Sequence, residues 1–359
     1  MLLRGRRAWQ LGARRLAAAR ALSAGAAGSG EIHRLYRFEN SQGQARMGIA
    51  RGAAVLGIGD DIDVVDGEHL AAWLRSSPGA PGRVGRALVT SPTRPRDRIA
   101  RLLAPLPFTP PAIFGVGLNY RKHAEEAGLP LPAHPIYFMV PPSSLCGPGD
   151  AIVVPRCAQE PPEADYEAEL AIVLGRDAKD VPAEEALRYV LGYTVANDVS
   201  ARRWQGAKRG GGQWCRAKSF DTFTPVGPAL TLVDDSGVGG ITAAGGALSE
   251  ANAVAGGGGR TDFGNIGGVD PDDLAVRTTL NGATMQQSRT SDMVFTVAQI
   301  IASLSRGTTL QAGSLILTGT PEGVGFTRDP PVWLRDGDEV TVAVESLGEL
   351  RNPVTYECE

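Results

Sequence analysis

From Pro105 to the C-terminus, short apolar runs alternate with glycine and proline. Ile113–Val116, Ile152–Val154, Leu170–Leu174, Leu230–Val233, Leu315–Leu317 and Val340–Val344 are the clearest. Runs of this length between strong turn signals read as strands, because a helix that buries one face needs about ten residues or more at 3.6-residue spacing. Two stretches do carry helical spacing. Ala183–Leu191 follows Pro182 and has Glu184 and Glu185 in its first turn, and Phe295–Leu304 repeats apolar residues on one face. The pattern predicts an α+β, sheet-rich domain over residues 105–359.

Three segments depart from that pattern. The first thirty residues hold Arg4, Arg6, Arg7, Arg14, Arg15 and Arg20 but no Asp, Glu or Lys. A basic, acid-free segment able to form an amphipathic helix is the signature of a transit peptide, and Arg20-Ala21-Leu22-Ser23 has the form of a processing site. Residues 1–30 are therefore expected to direct the chain to the mitochondrion, with plastid or cytosol as alternatives. Residues 31–100 read as a small N-terminal region. It has short strands at Gly48–Ala50, Ala53–Ile58 and Ile62–Val65, a helical turn at Glu68–Leu74, and a linker rich in Pro, Gly and Arg over Ser76–Arg98. Finally, Gly237 to Gly268 contains twelve glycines in 32 residues. Such a stretch cannot bury enough apolar surface to offset its backbone entropy. No Lys-Ser/Thr follows its glycines, so a phosphate-cradling loop is not supported. It is expected to be a surface insertion over residues 236–268.

Composition removes several functional classes. The net charge of −3 gives no basic footprint for nucleic acid, and no apolar run reaches the roughly 18–20 residues that span a bilayer. Neither nucleic acid nor membrane is expected as a partner. The four cysteines (Cys146, Cys157, Cys215 and Cys358) form no C-x-x-C pair, so neither a zinc knuckle nor a disulfide framework is indicated.

The chemistry-bearing residues fall in five stretches. Asp165–Leu174 reads as a strand entering a core, which puts Glu167 and Glu169 on one face beside Ala171 and Val173. Two half-buried carboxylates repel and lose solvation, and a hard cation removes both penalties. Oxygen-only ligands suit Mg²⁺, Mn²⁺ or Ca²⁺ better than zinc. The alternative is a solvated strand edge. Tyr193–Asp198 reads as a second strand ending in an acid, followed by Arg202 and Gln205. Asp198 offers a third carboxylate, and Arg202 a planar fork for a substrate carboxylate. On their own the two also read as a helix cap and a surface arginine. His123 and Glu126 are three residues apart, so on a helical turn they meet as a water-activating dyad or as a surface pair. Lys218 stands beside an otherwise apolar, strand-like run, where it either stabilises a developing anion or pairs with Asp221. Leu317–Gly325 runs a strand into a glycine-dense turn that exposes amides and small hydroxyls to a ligand.

In order and spacing these stretches resemble the fumarylacetoacetate hydrolase superfamily from about Pro111 to Val354. The matching segments are Gly117–Glu126 (GxNYxxHxxE), Asp165–Gly175, Asn197–Arg202, Gln213–Leu230, Asn281–Gln286, Leu317–Gly325 and Pro330–Val340. Within the superfamily the likeness is to a mitochondrial branch associated with oxaloacetate keto–enol tautomerism. The resemblance implies a mixed β-roll with peripheral helices, assembled as a homodimer. It implies Mg²⁺ or Mn²⁺, with Ca²⁺ as a further option, held by Glu167, Glu169 and Asp198. It implies His123 and Glu126 as a general-base dyad on a lid, and Lys218, Arg202, Gln205 and Thr320 against the carboxylate and oxo groups of a small 2-oxo or dicarbonyl acid. Oxaloacetate tautomerisation through a metal-stabilised enolate is the leading expectation. C–C hydrolysis of acylpyruvates or fumarylacetoacetate-like acids, oxaloacetate decarboxylation, and an inactive metal-binding scaffold are the alternatives. An aromatic pocket would point to fumarylacetoacetate-like substrates, and a small basic one to oxaloacetate. Val140 and Arg203 depart from the family pattern, Val140 standing where a lysine is common and Arg203 where an acid is usual.

Overall fold

The computed structural model describes residues 32–52, 54–65, 95–233 and 270–358. The basic N-terminal segment, the turn at Glu68–Leu74, the linker as far as residue 94 and the glycine-rich insertion lie outside the described residues. In chain order the strands are β1 (His33–Glu39), β2 (Ala45–Arg51), β3 (Asp61–Val65), β4 (Arg96–Arg98), β5 (Arg101–Leu103), β6 (Ile113–Gly117), β7 (Ile136–Val140), β8 (Leu145–Cys146), β9 (Ile152–Val154) and β10 (Ala164–Asp165). They continue with β11 (Ala168–Leu174), β12 (Val190–Asn197), β13 (Ser200–Ala201), β14 (Thr224–Leu232), β15 (Ala275–Leu280), β16 (Ala283–Arg289), β17 (Leu315–Leu317), β18 (Glu339–Val344) and β19 (Gly348–Tyr356).

A long mixed sheet runs β4-β3-β2-β1-β14-β12-β11-β17-β6-β7, with β5 on β1 and β8 on β14, and a second sheet runs β16-β15-β18-β19-β9. The second sheet lies over the centre of the first, β15 and β18 against β11. Strand β11 is buried along its whole length. Its Ala168, Leu170, Ile172 and Leu174 enter a core shared with Val276 and Val342, while Ala171 and Val173 face a second core with Leu35, Val226 and Leu317. A strand covered on both faces has no polar side, which is why Leu170–Leu174 reads as an unbroken apolar run. Each Leu or Ile buried there contributes about 1.5–3 kcal/mol.

The helices are short and lie outside the sheets, as expected, but their ends differ from the sequence reading. Ala183–Leu191 is one α-turn, α2 (Ala183–Ala186), then a 3₁₀ turn, and β12 takes over from Val190. Pairing with β11 overrides the local helical spacing there. Phe295–Leu304 becomes α6 (Val297–Leu304), because Thr296 and Gln299 cap each other's backbone N–H groups in a capping box. Val297, Ile300 and Ile301 form its buried face. The remaining helices are α1 (Arg121–Glu126), which precedes α2 in the chain, and α3 (Arg202–Gln205), α4 (Ala207–Gly210) and α5 (Trp214–Ala217).

Three further expectations need correction. Ala54–Ile58 is irregular rather than a strand, with Leu56 N–H donating to the Tyr36 hydroxyl at 2.9 Å. Arg96–Arg98 is not loop, since it pairs with β3. Asp165–Leu174 is not one strand. Asp165 pairs with Ser200, and Glu167 N–H turns to the Asn197 side chain at 3.0 Å instead of a ladder partner.

The N-terminal region joins the long sheet through β1, which pairs with β14. From β1 the buried Arg34 donates to the carbonyls of Gly52 at 2.5 Å, Ala54 at 3.4 Å and Ser346 at 2.7 Å. Its guanidinium thus ties a loop of this region to a turn more than three hundred residues away in sequence. Arg34→Met keeps the volume and removes the donors. It is expected to lower the unfolding free energy by about 2–4 kcal/mol, read from urea denaturation, and an unchanged midpoint would show that water replaces the clamp.

Candidate active site

The register of β11 on β12 builds the site. Ala168 lies opposite Asn197 and Glu169 opposite Ala196, so the start of one strand meets the end of the next. This brings Asp198 beside Glu167 and Glu169. One oxygen from each of the three lies within 4.8 Å of the others, and all three residues are buried. The same-face placement of Glu167 and Glu169 agrees with the strand periodicity, although Glu167 sits one residue before β11.

Two cations answer these carboxylates. Lys218 Nζ donates to Glu167 at 2.7 Å, Asp198 at 2.5 Å and the Ser200 hydroxyl at 2.8 Å, which occupies all three ammonium protons. Lys218 follows the turn α5 rather than sitting in a strand, and its partners are not Asp221. Arg202 donates through Nε to Asp165 at 2.8 Å and through Nη1 to Glu167 at 2.7 Å and Gln205 at 2.9 Å. Its planar face lies 4.4 Å from the Phe326 ring centroid.

Four buried carboxyl groups (Asp165, Glu167, Glu169 and Asp198) therefore face two cations, and full ionisation leaves two negative charges over. The imbalance shows in their proton affinities. Burial, partly offset by Lys218, pushes Asp198 up to about 6. Burial and the charges of Asp198 and Glu167 push Glu169 well above the usual carboxylate range. Glu167 is held at about 2, because Lys218 and Arg202 outweigh its burial. Asp198 Oδ1 is also buried with no hydrogen-bond partner. An orphaned carboxylate oxygen, an excess of two negative charges and an all-oxygen donor set fit a hard divalent cation.

The dyad stands beside the cluster. His123 Nδ1 lies 3.4 Å from Glu126 Oε2 on α1, and both oxygens of Glu126 accept the Gly323 N–H at 3.1 Å. Although burial acts upward, hydrogen bonds from His123 and the Gly323 amide hold the Glu126 carboxyl below its usual value. Asn119 anchors this helix to the sheet. Its side chain donates to the carbonyls of Thr318 at 2.7 Å and Phe295 at 3.1 Å.

Residues 112–355 match the family described as "Fumarylacetoacetate (FAA) hydrolase C-terminal". The chain belongs to the fumarylacetoacetate hydrolase family. It is 41% identical over 249 residues, 69% of this chain and 72% of the relative, to a fumarylacetoacetate hydrolase domain-containing protein 2 homolog of Dictyostelium discoideum. It is 40% identical over 270 residues, 75% of this chain and 74% of the relative, to a mitochondrial oxaloacetate tautomerase of Homo sapiens. Among solved structures, the fumarylacetoacetate hydrolase of Exiguobacterium antarcticum superposes with a TM-score of 0.65 at 31% identity, covering 90% of this chain and 100% of that one. A 5-carboxymethyl-2-hydroxymuconate delta-isomerase from Mycobacterium smegmatis does so with a TM-score of 0.62 at 33% identity, covering 91% of this chain and 100% of that one. The chain is an enzyme of this family.

In this fumarylacetoacetate hydrolase family enzyme the dyad and the cluster open on one pocket of about 110 Å³. Seven of the nine sequence-predicted residues line it: His123, Glu167, Glu169, Arg202, Gln205, Lys218 and Thr320. The other two, Glu126 and Asp198, stand behind these and bond to them. Arg202 Nη2 is buried without a partner, as a group awaiting an anionic oxygen would be. The apolar walls (Phe138, Trp214 and Phe326) were not foreseen. Trp214 reaches the pocket because Gly117 has no Cβ; a methyl there would overlap the indole. Asp165 was also missed. It accepts from Arg202 and from the amides of Gly325 at 2.7 Å and Phe326 at 3.0 Å, so one carboxylate orients the guanidinium and the loop beneath it. The two departures from the family pattern do not line the pocket. Val140 is buried in a core cluster, and Arg203 pairs with Glu163 at 2.9 Å.

Proposed function

We propose that the enzyme interconverts the enol and keto forms of oxaloacetate, in the mitochondrion, with a divalent cation held by Glu167, Glu169 and Asp198. The observation that carries this reading is the pocket itself. At about 110 Å³ it is far below the roughly 300–1,000 Å³ of sites for drug-sized ligands, yet it combines a carboxylate cluster, a His–Glu dyad and an unpaired guanidinium nitrogen. The volume and the unpaired guanidinium nitrogen suit a small 2-oxo diacid, whereas the aromatic walls Phe138, Trp214 and Phe326 are the feature that favours the acylpyruvate or fumarylacetoacetate-like alternative. Relatives named mitochondrial oxaloacetate tautomerases support the substrate and the location.

Arg202 Nη2 binds a carboxylate of the substrate, and Gln205 and Thr320 orient the rest. A bound Mg²⁺ or Mn²⁺ supplies Lewis-acid polarisation of the oxo group and balances the excess carboxylate charge. His123, with Nδ1 toward Glu126, presents Nε2 to the pocket, takes the proton from the enol oxygen as the C=O bond forms and returns that proton to the adjacent carbon, or runs the reverse. Glu126 holds the ring and stabilises its protonated form. Lys218 lines the pocket and donates to Glu167, Asp198 and Ser200, so it fixes two of the carboxylates in place beside the substrate.

The purified enzyme is assayed by following loss of the enol absorbance of oxaloacetate with Mg²⁺ and with EDTA. The expected result is metal-dependent ketonisation with no pyruvate formed. Release of CO₂, or cleavage of acylpyruvates in a parallel assay, would move the enzyme to the decarboxylase or hydrolase reading. Metal binding without any turnover would leave the scaffold.

A further inference from the structure

Asn281–Gln286 matches the family, yet the proposed chemistry gives it no task. Strand β16 is largely exposed, and Gln286 is its one buried residue, at 1% exposure. Its carboxamide is fully engaged. Oε1 accepts from the Ala168 N–H at 3.0 Å and the Thr278 hydroxyl at 2.7 Å. Nε2 donates to the Pro321 carbonyl and to Thr320 Oγ1, each at 2.9 Å. A backbone N–H can only donate and a backbone carbonyl can only accept, so the amide has one possible orientation. It follows that Thr320 Oγ1 receives a hydrogen from Gln286. No bond among the described residues uses the hydrogen of Thr320 itself, and Thr320 is nearly buried and lines the pocket beside Glu169 and Arg202.

We propose that Gln286 is a positioning residue that occupies one lone pair of Thr320 Oγ1 and leaves its O–H free for the pocket, so that the site favours an oxygen acceptor over an N–H group at that point. The inference rests on the reading of the occupant as a small oxo acid, but not on which reaction it undergoes. A purely structural Gln286 would only brace the start of β11 through Ala168.

The test is a double-mutant cycle on the whole chain in Mg²⁺, with oxalate as the probe and calorimetry as the readout. Thr320→Val and Gln286→Met are each expected to weaken oxalate about tenfold, and the double variant no more than about twofold beyond the weaker single. Two losses that multiply to about a hundredfold would overturn the proposal. A second measurement needs no change at Gln286. Oxamate places an amide where oxalate has an oxygen. Wild-type preference for oxalate is expected to fall about tenfold in Thr320→Val and to persist in Thr320→Ser. An unchanged preference in Thr320→Val would overturn the proposal. Wild-type enzyme that binds oxalate but does not ketonise oxaloacetate would sink the proposed reaction alone, leaving Gln286 to be judged by the cycle.

Discussion

Asp198→Asn is expected to abolish divalent-cation binding, a loss of more than roughly a hundredfold, and turnover with it, while the protein without metal melts at the same temperature or slightly higher. The two halves of this prediction separate a metal site from a structural ion-pair network. In a network, removing a buried partner of Lys218 leaves an uncompensated charge and destabilises the fold. Here the cluster carries more negative charge than its cations match, and Asp198 Oδ1 has no partner to lose. A neutral amide relieves repulsion with Glu169 and leaves Lys218 bonded to Glu167 and Ser200. The measurement is a pair of melting curves, with Mg²⁺ and with EDTA. A metal-induced rise in wild type that persists in Asp198→Asn would remove Asp198 from the ligand set.

The same cluster sets a pH dependence whose sign can be worked out. Asp198 at about 6, and Glu169 well above its usual value, bind protons more tightly folded than unfolded. Their ionisation is therefore disfavoured in the native state. They destabilise the metal-free fold progressively as pH rises from ordinary carboxylate values through the raised ones. Glu167, held at about 2, acts oppositely: its contribution is present above the unfolded value and is lost only in strong acid. Metal binding must expel the retained protons. The Mg²⁺-induced rise in melting temperature is thus expected to grow between about pH 5 and 8.

How much of this was legible depended on whether the cause was local. The partnership of His123 and Glu126 followed from helical spacing, and the shared face of Glu167 and Glu169 from strand alternation, because both are properties of a few consecutive residues. Asp198 could be named as an acid at a strand end, but its meeting with Glu167 depends on the register of β11 on β12. No local pattern encodes that register. Asp165 was part of a matching motif, yet its task as the anchor of Arg202 and the Phe326 loop comes from residues as far as 161 positions away. Gln286 closed a matching segment but had no task assigned to it, and only its placement against the start of β11 gives its amide four partners. Val140 and Arg203 mislead in the opposite direction. Their chemistry differs from the family pattern near a motif, but their side chains point into a core and toward Glu163.

His123→Gln is expected to lower kcat for oxaloacetate ketonisation by about 10²–10⁴-fold while changing Mg²⁺ and oxalate affinity by less than about threefold. The imidazole is nearly buried, is held edge-on 6.5 Å from Phe326, and turns Nδ1 toward Glu126, which leaves its other nitrogen for the proposed proton transfer. Glutamine keeps much of the volume and a polar tip but cannot take up a proton at neutral pH. The loss should therefore fall on kcat and leave ground-state binding to Arg202, Thr320 and the carboxylate cluster. Glu126→Gln should fall short of it, at roughly 10–100-fold, because an amide can still orient the ring through Nδ1 but cannot stabilise its charged form. The order of the two effects is the decisive feature. If Glu126→Gln proves as damaging as His123→Gln, the carboxylate itself carries the proton and the imidazole only supports it. If neither variant slows ketonisation, the dyad belongs to a water-activating step, and acylpyruvate cleavage becomes the reaction to measure.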